Sequence, residues 1–238
     1  MNNAINALTV RNLSVYYKKN IVLNNLNFDI FDGEIIGLLG ASGCGKTTLA
    51  KAILGIDVSY KGDIILKYKN PMMVFQDSLS ALNKVKKIGW LLEEPLRCRN
   101  KMSKTDMRQK AEQMLSDIGL DKSCYDRYPM ELSGGQRQRV CLGIALIGGN
   151  KFIVLDEATS SLDVTIQQKI LKLLKKLKEK HNLTYLFISH DINVIYQICD
   201  RIMVMNKGEI IETGDTKQIF FNPESEFTKE LIKASLLE

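Results

Sequence analysis

Ile35-Ile36-Gly37-Leu38-Leu39-Gly40-Ala41-Ser42-Gly43-Cys44-Gly45-Lys46-Thr47-Thr48-Leu49-Ala50-Lys51-Ala52-Ile53-Leu54 is the stretch whose reading decides the fold. Its first five residues are an unbroken apolar run closed by glycine, the pattern of a parallel strand buried on both faces. Residues 40–47 match G-x-x-x-x-G-K-[ST], and residues 48–54 continue as a helical run. In a strand, glycine loop and helix of this order, backbone N–H groups turn inward around phosphate oxygens and the helix N-terminus adds a favourable dipole. Gly40, Ser42, Gly43, Cys44, Gly45, Lys46, Thr47 and Thr48 are therefore expected around a nucleotide's phosphates. Lys46 would reach the β- and γ-phosphates, and Thr47 would ligate Mg²⁺.

Working outward, Phe152-Ile153-Val154-Leu155 is a second apolar run, and it ends in Asp156-Glu157. A carboxylate at the C-terminal end of a buried parallel strand is well placed to hold Mg²⁺ beside the loop. Asp156 is thus a metal-ligand candidate, and Glu157 is a candidate to polarise an attacking water. Tyr185-Leu186-Phe187-Ile188 is a third such run. Residues 8–15 and 21–30 instead alternate apolar and polar side chains, as antiparallel strands with one buried face do. Ile202–Met205 and Ile210–Glu212 read as a closing hairpin. Residues 165–180 place Ile166, Ile170, Leu173, Leu174 and Leu177 on one helical stripe, with lysines on a solvated face. Residues 78–131 differ. They lack a buried-strand run, carry Ala111, Met114, Leu115 and Ile118 at helical spacing, and contain breakers at Pro95, Gly119 and Pro129. The expected fold is α/β: a P-loop NTPase core over residues 1–77 and 132–238, with an inserted α-helical subdomain over 78–131. Its sheet is expected to be mixed, mostly parallel, with an antiparallel edge.

Composition narrows the class. At 238 residues the chain can bury a self-sufficient core without staples. Its five cysteines (Cys44, Cys98, Cys124, Cys141, Cys199) are scattered and form no C-x-x-C pair, so neither a disulfide framework nor a zinc site is indicated. A net charge of +6 is far short of a dense basic footprint, so no direct nucleic-acid partner is expected. The longest apolar stretches, Ile35–Ala41 and Cys141–Gly148, are broken by glycine and fall below the roughly 18 residues of a membrane span. Met1-Asn2-Asn3 opens no apolar leader.

Taken so far, the residues permit any P-loop NTPase. Leu132-Ser133-Gly134-Gly135-Gln136 narrows this, because it resembles the signature motif of ATP-binding cassette (ABC) ATPases. The resemblance extends over most of the chain. Tyr17 stands where the family has an aromatic that stacks on adenine, with Tyr16 adjacent as the alternative. Gln76, in Val74-Phe75-Gln76-Asp77, looks like the glutamine that touches Mg²⁺ and links core to helical lobe. Ser160-Ser161-Leu162-Asp163 resembles the D-loop, and His190 in Ile188-Ser189-His190-Asp191 resembles the switch histidine. The resemblance implies that Ser133, Gly134, Gly135, Gln136 and Asp163 join the ATP site, with ATP and Mg²⁺ bound between two subunits. It implies Glu157 as general base, His190 as the group holding γ-phosphate and water, and Lys46 as the neutraliser of developing charge. His181, at a lysine-rich helix end, is expected to be solvated.

Two finer likenesses point to import. Val74–Asn83, Asp163-Val164-Thr165-Ile166-Gln167 and the tail around Phe221-Asn222-Pro223 and Phe227-Thr228-Lys229 look like the ATPases of bacterial peptide and nickel importers, with the nickel or metallophore branch favoured. That branch implies a second ABC ATPase subunit, two membrane permease subunits, an extracellular substrate-binding protein reached through the complex, and a peripheral place on the cytoplasmic face of the cell membrane. An exporter ATPase, or a soluble ABC ATPase acting on ribosomes or nucleic acid, is the alternative. Cys44 carries one further expectation. One reading is a small filler with an inert thiol; the other is that a thiol at a helix N-terminus tends toward lowered pKa and reactivity, in which case alkylation should inhibit and Mg-ATP protect.

Overall fold

The computed structural model describes residues 5–18, 20–75, 78–99, 102–159 and 163–235. The alternating N-terminal segments become β1 (Asn6–Tyr17) and β2 (Asn20–Phe31), paired antiparallel. The Ile35 run is β3 (Ile35–Leu39), and the loop after it feeds α1 (Lys46–Leu54). Two strands follow, β4 (Ser59–Leu66) and the short β5 (Met72–Val74). Helices occupy the next segment: α2 (Ser78–Ala81), α3 (Ile88–Arg99) and α4 (Lys104–Asp117), then two 3-10 turns (Lys122–Asp126 and Pro129–Glu131) and α5 (Gly134–Ile147). The chain then alternates through β6 (Phe152–Asp156), α6 (Val164–His181), β7 (Thr184–Ile188) and α7 (Ile192–Ile198). The hairpin β8 (Arg201–Asn206) and β9 (Glu209–Asp215), then α8 (Thr216–Phe221) and α9 (Glu226–Ser235), close it.

The central sheet has the order β5-β6-β7-β3-β8-β9, parallel throughout except for β9, which pairs antiparallel with β8 and forms the antiparallel edge. The N-terminal strands do not extend that sheet. They form their own, ordered β2-β1-β4. Strand alternation explains why both sheets share one core. Ile36, Leu38, Phe152, Val154, Leu186, Ile188, Met203 and Met205 point to one side of the central sheet, where Leu8, Leu13 and Val15 of β1 and Leu49 and Ile53 of α1 cover them. Ile35, Leu39, Ile153, Leu155, Tyr185, Phe187, Ile202 and Val204 point to the other side, against α5, α6 and α7. Strands covered on both faces read as continuous apolar runs, which is why these were visible in sequence.

Two local expectations change. Pro95 does not break a helix but lies inside α3. Its missing N–H leaves one carbonyl of the preceding turn without its helical partner, at a cost of about 3 kcal/mol. Burial of Leu91, Leu92 and Leu96 on either side of it holds the helix together. His181 is not simply solvated: its Nε2 lies 3.5 Å from Asp117 Oδ2, joining the end of α6 to the end of α4. Among the described residues no helix is long and apolar enough to cross a membrane.

Candidate active site

Residues 40–47 leave the C-terminal end of β3 and turn directly into α1. The turn needs left-handed backbone at Gly43 (φ 76°) and Gly45 (φ 114°), a region open to glycine and costly for other residues. Gly45 has a second reason to lack a side chain, since a Cβ there would lie 2.6 Å from Leu23 Cδ2 of β2. The loop is braced from behind: the Gly208 N–H in the β8–β9 turn donates to the Cys44 carbonyl at 2.9 Å, and the Asn24 N–H donates to the Gly208 carbonyl at 2.9 Å. Both flanking sheets thus hold the loop in its curled form before any ligand arrives.

Lys46, the first residue of α1, is buried, and its ammonium donates to the carbonyls of Gly40 at 2.7 Å and Ala41 at 2.9 Å. The next hydroxyl, Thr47 Oγ1, bonds Asp156 Oδ2 at 3.1 Å. Burial pushes the Asp156 carboxyl above its ordinary pKa. The adjacent Glu157 charge adds to this, and the Thr47 hydrogen bond with the charges of Lys46 and Lys51 offset it only in part. A partly desolvated carboxylate beside a hydroxyl is a hard-oxygen donor pair that fits Mg²⁺, whose charge would relieve that strain on the ionised form.

Glu157 follows at the end of β6 with φ 49°, an uncommon backbone for a residue with a side chain, and its N–H donates to the Ile188 carbonyl at 2.9 Å. That bond sets Glu157 beside the end of β7, two residues before His190. His190 Nδ1 lies 3.3 Å from Glu157 Oε1. The His190 side chain is 63% exposed, so packing does little to fix it. Its backbone is pinned instead: Ser189 Oγ accepts the Asp191 N–H at 3.0 Å, and Asp191 Oδ1 caps α7 by accepting from Asn193 N at 2.9 Å and Val194 N at 3.2 Å.

A cavity of about 420 Å³ is lined by Ser42, Gly43, Gly45, Lys46, Thr47 and Thr48 of the loop, with Glu157 and His190 across from them and Val22 of β2 at one side. Residues drawn from four separated segments meet there. Val22 is the lining residue that sequence reading missed, because nothing distinguishes it from its neighbours in an alternating strand. Gly40 supports the loop without lining the cavity: a Cβ on it would lie 2.2 Å from the Met205 carbonyl of β8. Cys44 departs from the reactive-thiol expectation. It is only 7% exposed and belongs to the apolar layer under the loop, where burial restricts reagent access. Tyr17 is exposed at the end of β1 and outside the cavity, whereas the neighbouring Tyr16 ring lies under Lys61 Nζ at 5.6 Å. Of the two aromatics Tyr17 is the more accessible to a base.

The signature residues do not line this cavity. Ser133 is the N-cap of α5, and with Gln136 it forms a capping box: Ser133 Oγ accepts the Gln136 N–H at 3.3 Å, and Gln136 Oε1 accepts the Ser133 N–H at 2.9 Å. Asp163 is likewise a helix cap, its Oδ1 accepting the Ile166 N–H at 2.9 Å at the start of α6. Gln76 and Ser160–Leu162 lie outside the described residues.

A glycine loop, a buried lysine, a threonine–aspartate pair and a glutamate–histidine pair around one cavity on a mostly parallel sheet define a P-loop nucleoside triphosphatase. The chain belongs to the ABC transporter family, whose profile matches residues 23–160. It is similar to the nickel import ATP-binding protein NikE of Escherichia coli (strain K12), 41% identical over 207 residues that cover 81% of this chain and 77% of that one. It is also similar to the dipeptide transport ATP-binding protein DppF of Haemophilus influenzae, 38% identical over 228 residues, 90% of this chain and 70% of that one. Among solved structures, a dimeric post-hydrolysis ATP-binding cassette bound to ADP and phosphate matches with a TM-score of 0.75 at 28% identity, over 88% of this chain and 98% of that one. The family carries ATP binding, and hydrolysis coupled to transport, to this chain.

Proposed function

We propose that this chain is the ATP-hydrolysing subunit of an importer for nickel or a metal–metallophore complex, working peripherally on the cytoplasmic face of the membrane. It would act with a second ABC ATPase, two permease subunits and a binding protein reached through the complex. The observation that carries the catalytic part is the His190–Glu157 contact of 3.3 Å at the mouth of the phosphate loop. Peptide is the second reading of the cargo, supported by the likeness to DppF over 90% of the chain. NikE is named as an import ATP-binding protein and DppF as a transport ATP-binding protein, and the former supports import over the exporter alternative.

In the proposed mechanism the loop N–H groups and Lys46 bind the β- and γ-phosphates, Lys46 exchanging its present carbonyl partners for phosphate oxygens. Thr47, Asp156 and Gln76 would hold Mg²⁺, which when bound neutralises charge on the phosphates. Glu157 accepts a proton from the attacking water, and His190 holds that water and the γ-phosphate in line. Tyr17 stacks on the base. Ser133, Gly134, Gly135 and Gln136 complete the site of a partner subunit together with Asp163, so that two subunits enclose two nucleotides. The helices over 78–131 act as the subdomain that passes closure and opening to the permeases. Glu157→Gln tests the assignment. ATP binding should survive while turnover is lost and a nucleotide-trapped dimer accumulates on size exclusion; normal hydrolysis by this variant would sink the role of Glu157.

A further inference from the structure

We propose that Ile166, in the first turn of α6, is a positioning residue for ATP hydrolysis. It seats the signature loop against the segment that carries Glu157. The inference rests on the two-subunit reading above, in which these two segments serve different nucleotides. Gly135 is buried, and a Cβ built on it would lie 2.6 Å from Ile166 Cγ2 and 3.7 Å from Ile166 Cδ1, with no other side chain as near. The absence of a side chain at Gly135 is therefore what lets the start of α5 touch the start of α6. Ile166 cannot swing aside to admit one. Its Cγ2 is attached to Cβ directly, and a β-branched residue in a helix is confined to essentially one χ1 rotamer.

Each side of this contact is stiff for its own reason. The Ser133–Gln136 capping box fixes the turn that presents Gly135. The first turn of α6 is fixed by Asp163, whose carboxylate accepts the Ile166 N–H at 2.9 Å and whose carbonyl accepts the Gln167 N–H at 2.8 Å. That turn also reaches toward the catalytic strand through a long 3.5 Å bond from Gln167 Nε2 to the carbonyl of Thr159, a buried residue two positions beyond Glu157. Two rigid turns meeting at one methyl group transmit displacement instead of absorbing it, because packed interiors are close to incompressible. Movement of the signature loop as it closes on the partner's nucleotide is thus passed to the chain's own Glu157 segment.

A double-mutant cycle in the assembled transporter tests this, reading the ATPase rate against ATP concentration. Gly135→Ala should lower kcat at least tenfold, with nucleotide-analogue affinity of the isolated subunit unchanged. Ile166→Ala removes Cγ2, so Gly135→Ala placed on that background should recover to within about threefold of Ile166→Ala alone. Ile166→Val keeps Cγ2 and loses only Cδ1, so it should give no rescue. Loosening the seam should also lower the Hill coefficient for ATP in Ile166→Ala, which a loss of fold stability alone would not do. If Gly135→Ala is equally inactive on the wild-type and Ile166→Ala backgrounds, the glycine acts only on the partner's nucleotide and the proposal fails. Wild-type turnover that is independent of dimer formation would instead overturn the two-subunit reading, and with it the link between two nucleotides.

Discussion

Replacing Asp191 by alanine separates the position of His190 from its chemistry. Asp191 does not line the cavity, yet it follows His190 directly and its Oδ1 accepts two N–H groups of α7 at 2.9 and 3.2 Å. Since α7 has only seven residues, loss of its cap frays a large part of it. Truncating an Asp N-cap costs about 1 kcal/mol, within a range of roughly 0.5–2. Expressed wholly as lost alignment of His190 in the transition state, that is about a fivefold fall in kcat, because about 1.36 kcal/mol is a factor of ten. His190→Ala removes the group itself and should cost about 10²–10⁴. Asn caps as well as Asp, so Asp191→Asn should stay within about twofold of wild type. The assay is initial-rate phosphate release at saturating Mg-ATP from the assembled transporter, with urea denaturation in parallel. Two results would refute the reasoning: Asp191→Asn as slow as Asp191→Ala, which would make the charge and not the cap important, or Asp191→Ala turning over at the wild-type rate while measurably less stable.

Other consequences follow from the same geometry. Asp117, with a side chain 8% exposed, accepts from Lys180 Nζ at 2.7 Å and Gln113 Nε2 at 2.9 Å. Burial raises its pKa, but those two bonds and the charges of Lys180 and His181 outweigh burial and hold it below the ordinary value. Its contribution is then fully present above the unfolded carboxyl's pKa and lost as pH falls through the folded one, so Asp117→Ala should cost about 1–2 kcal/mol in urea titrations at pH 7 and less at low pH. An equal penalty at both pH values would show that packing, not charge, is responsible. Ser133→Ala should destabilise the start of α5 by about 1 kcal/mol and slow hydrolysis, while Ser133→Thr keeps the capping oxygen and most of the rate; identical rates for the two variants would disconnect capping from activity. Arg201 bonds the buried Glu34 at 3.1 and 3.2 Å, and burial already pushes the Glu34 carboxyl upward against that pairing. Arg201→Met should therefore destabilise by about 3–5 kcal/mol, and adding Glu34→Gln should recover part of it by melting temperature.

What could be read from the chain alone depended on whether the signal was local. The phosphate loop is contiguous, and its strand and helix flank it directly, so residues 35–54 announce their own structure. The three apolar runs are visible because central strands are covered on both faces. β4 and β5 left no such trace: most of β4 is exposed, and β5 has three residues. Separation of β1, β2 and β4 into their own sheet is set by what β1 packs on, which alternation within one strand cannot reveal. Cys44 shows the same limit at one residue. Its position at a helix start suggests reactivity, but the backbone turn sends the thiol inward. Val22 reaches the cavity only because the β8–β9 turn holds β2 against the loop, a contact between segments about 185 residues apart, as in the Asn24–Glu209 bond.

The signature motif was legible as a resemblance and intelligible only as a structure. Ser-Gly-Gly-Gln is a helix start whose two polar side chains satisfy each other's backbone through the capping box, consuming the N–H groups of Ser133 and Gln136. The N–H groups of Gly134 and Gly135 are then the ones α5 cannot pair within itself. A helix N-terminus with unpaired donors and no acidic residue in its first turn favours an anion. None of the four residues lines the chain's own cavity, which is the physical argument behind the proposal that they serve a partner subunit's nucleotide. The same geometry opposes a side chain at its second glycine, where a Cβ would lie 2.6 Å from Ile166 Cγ2.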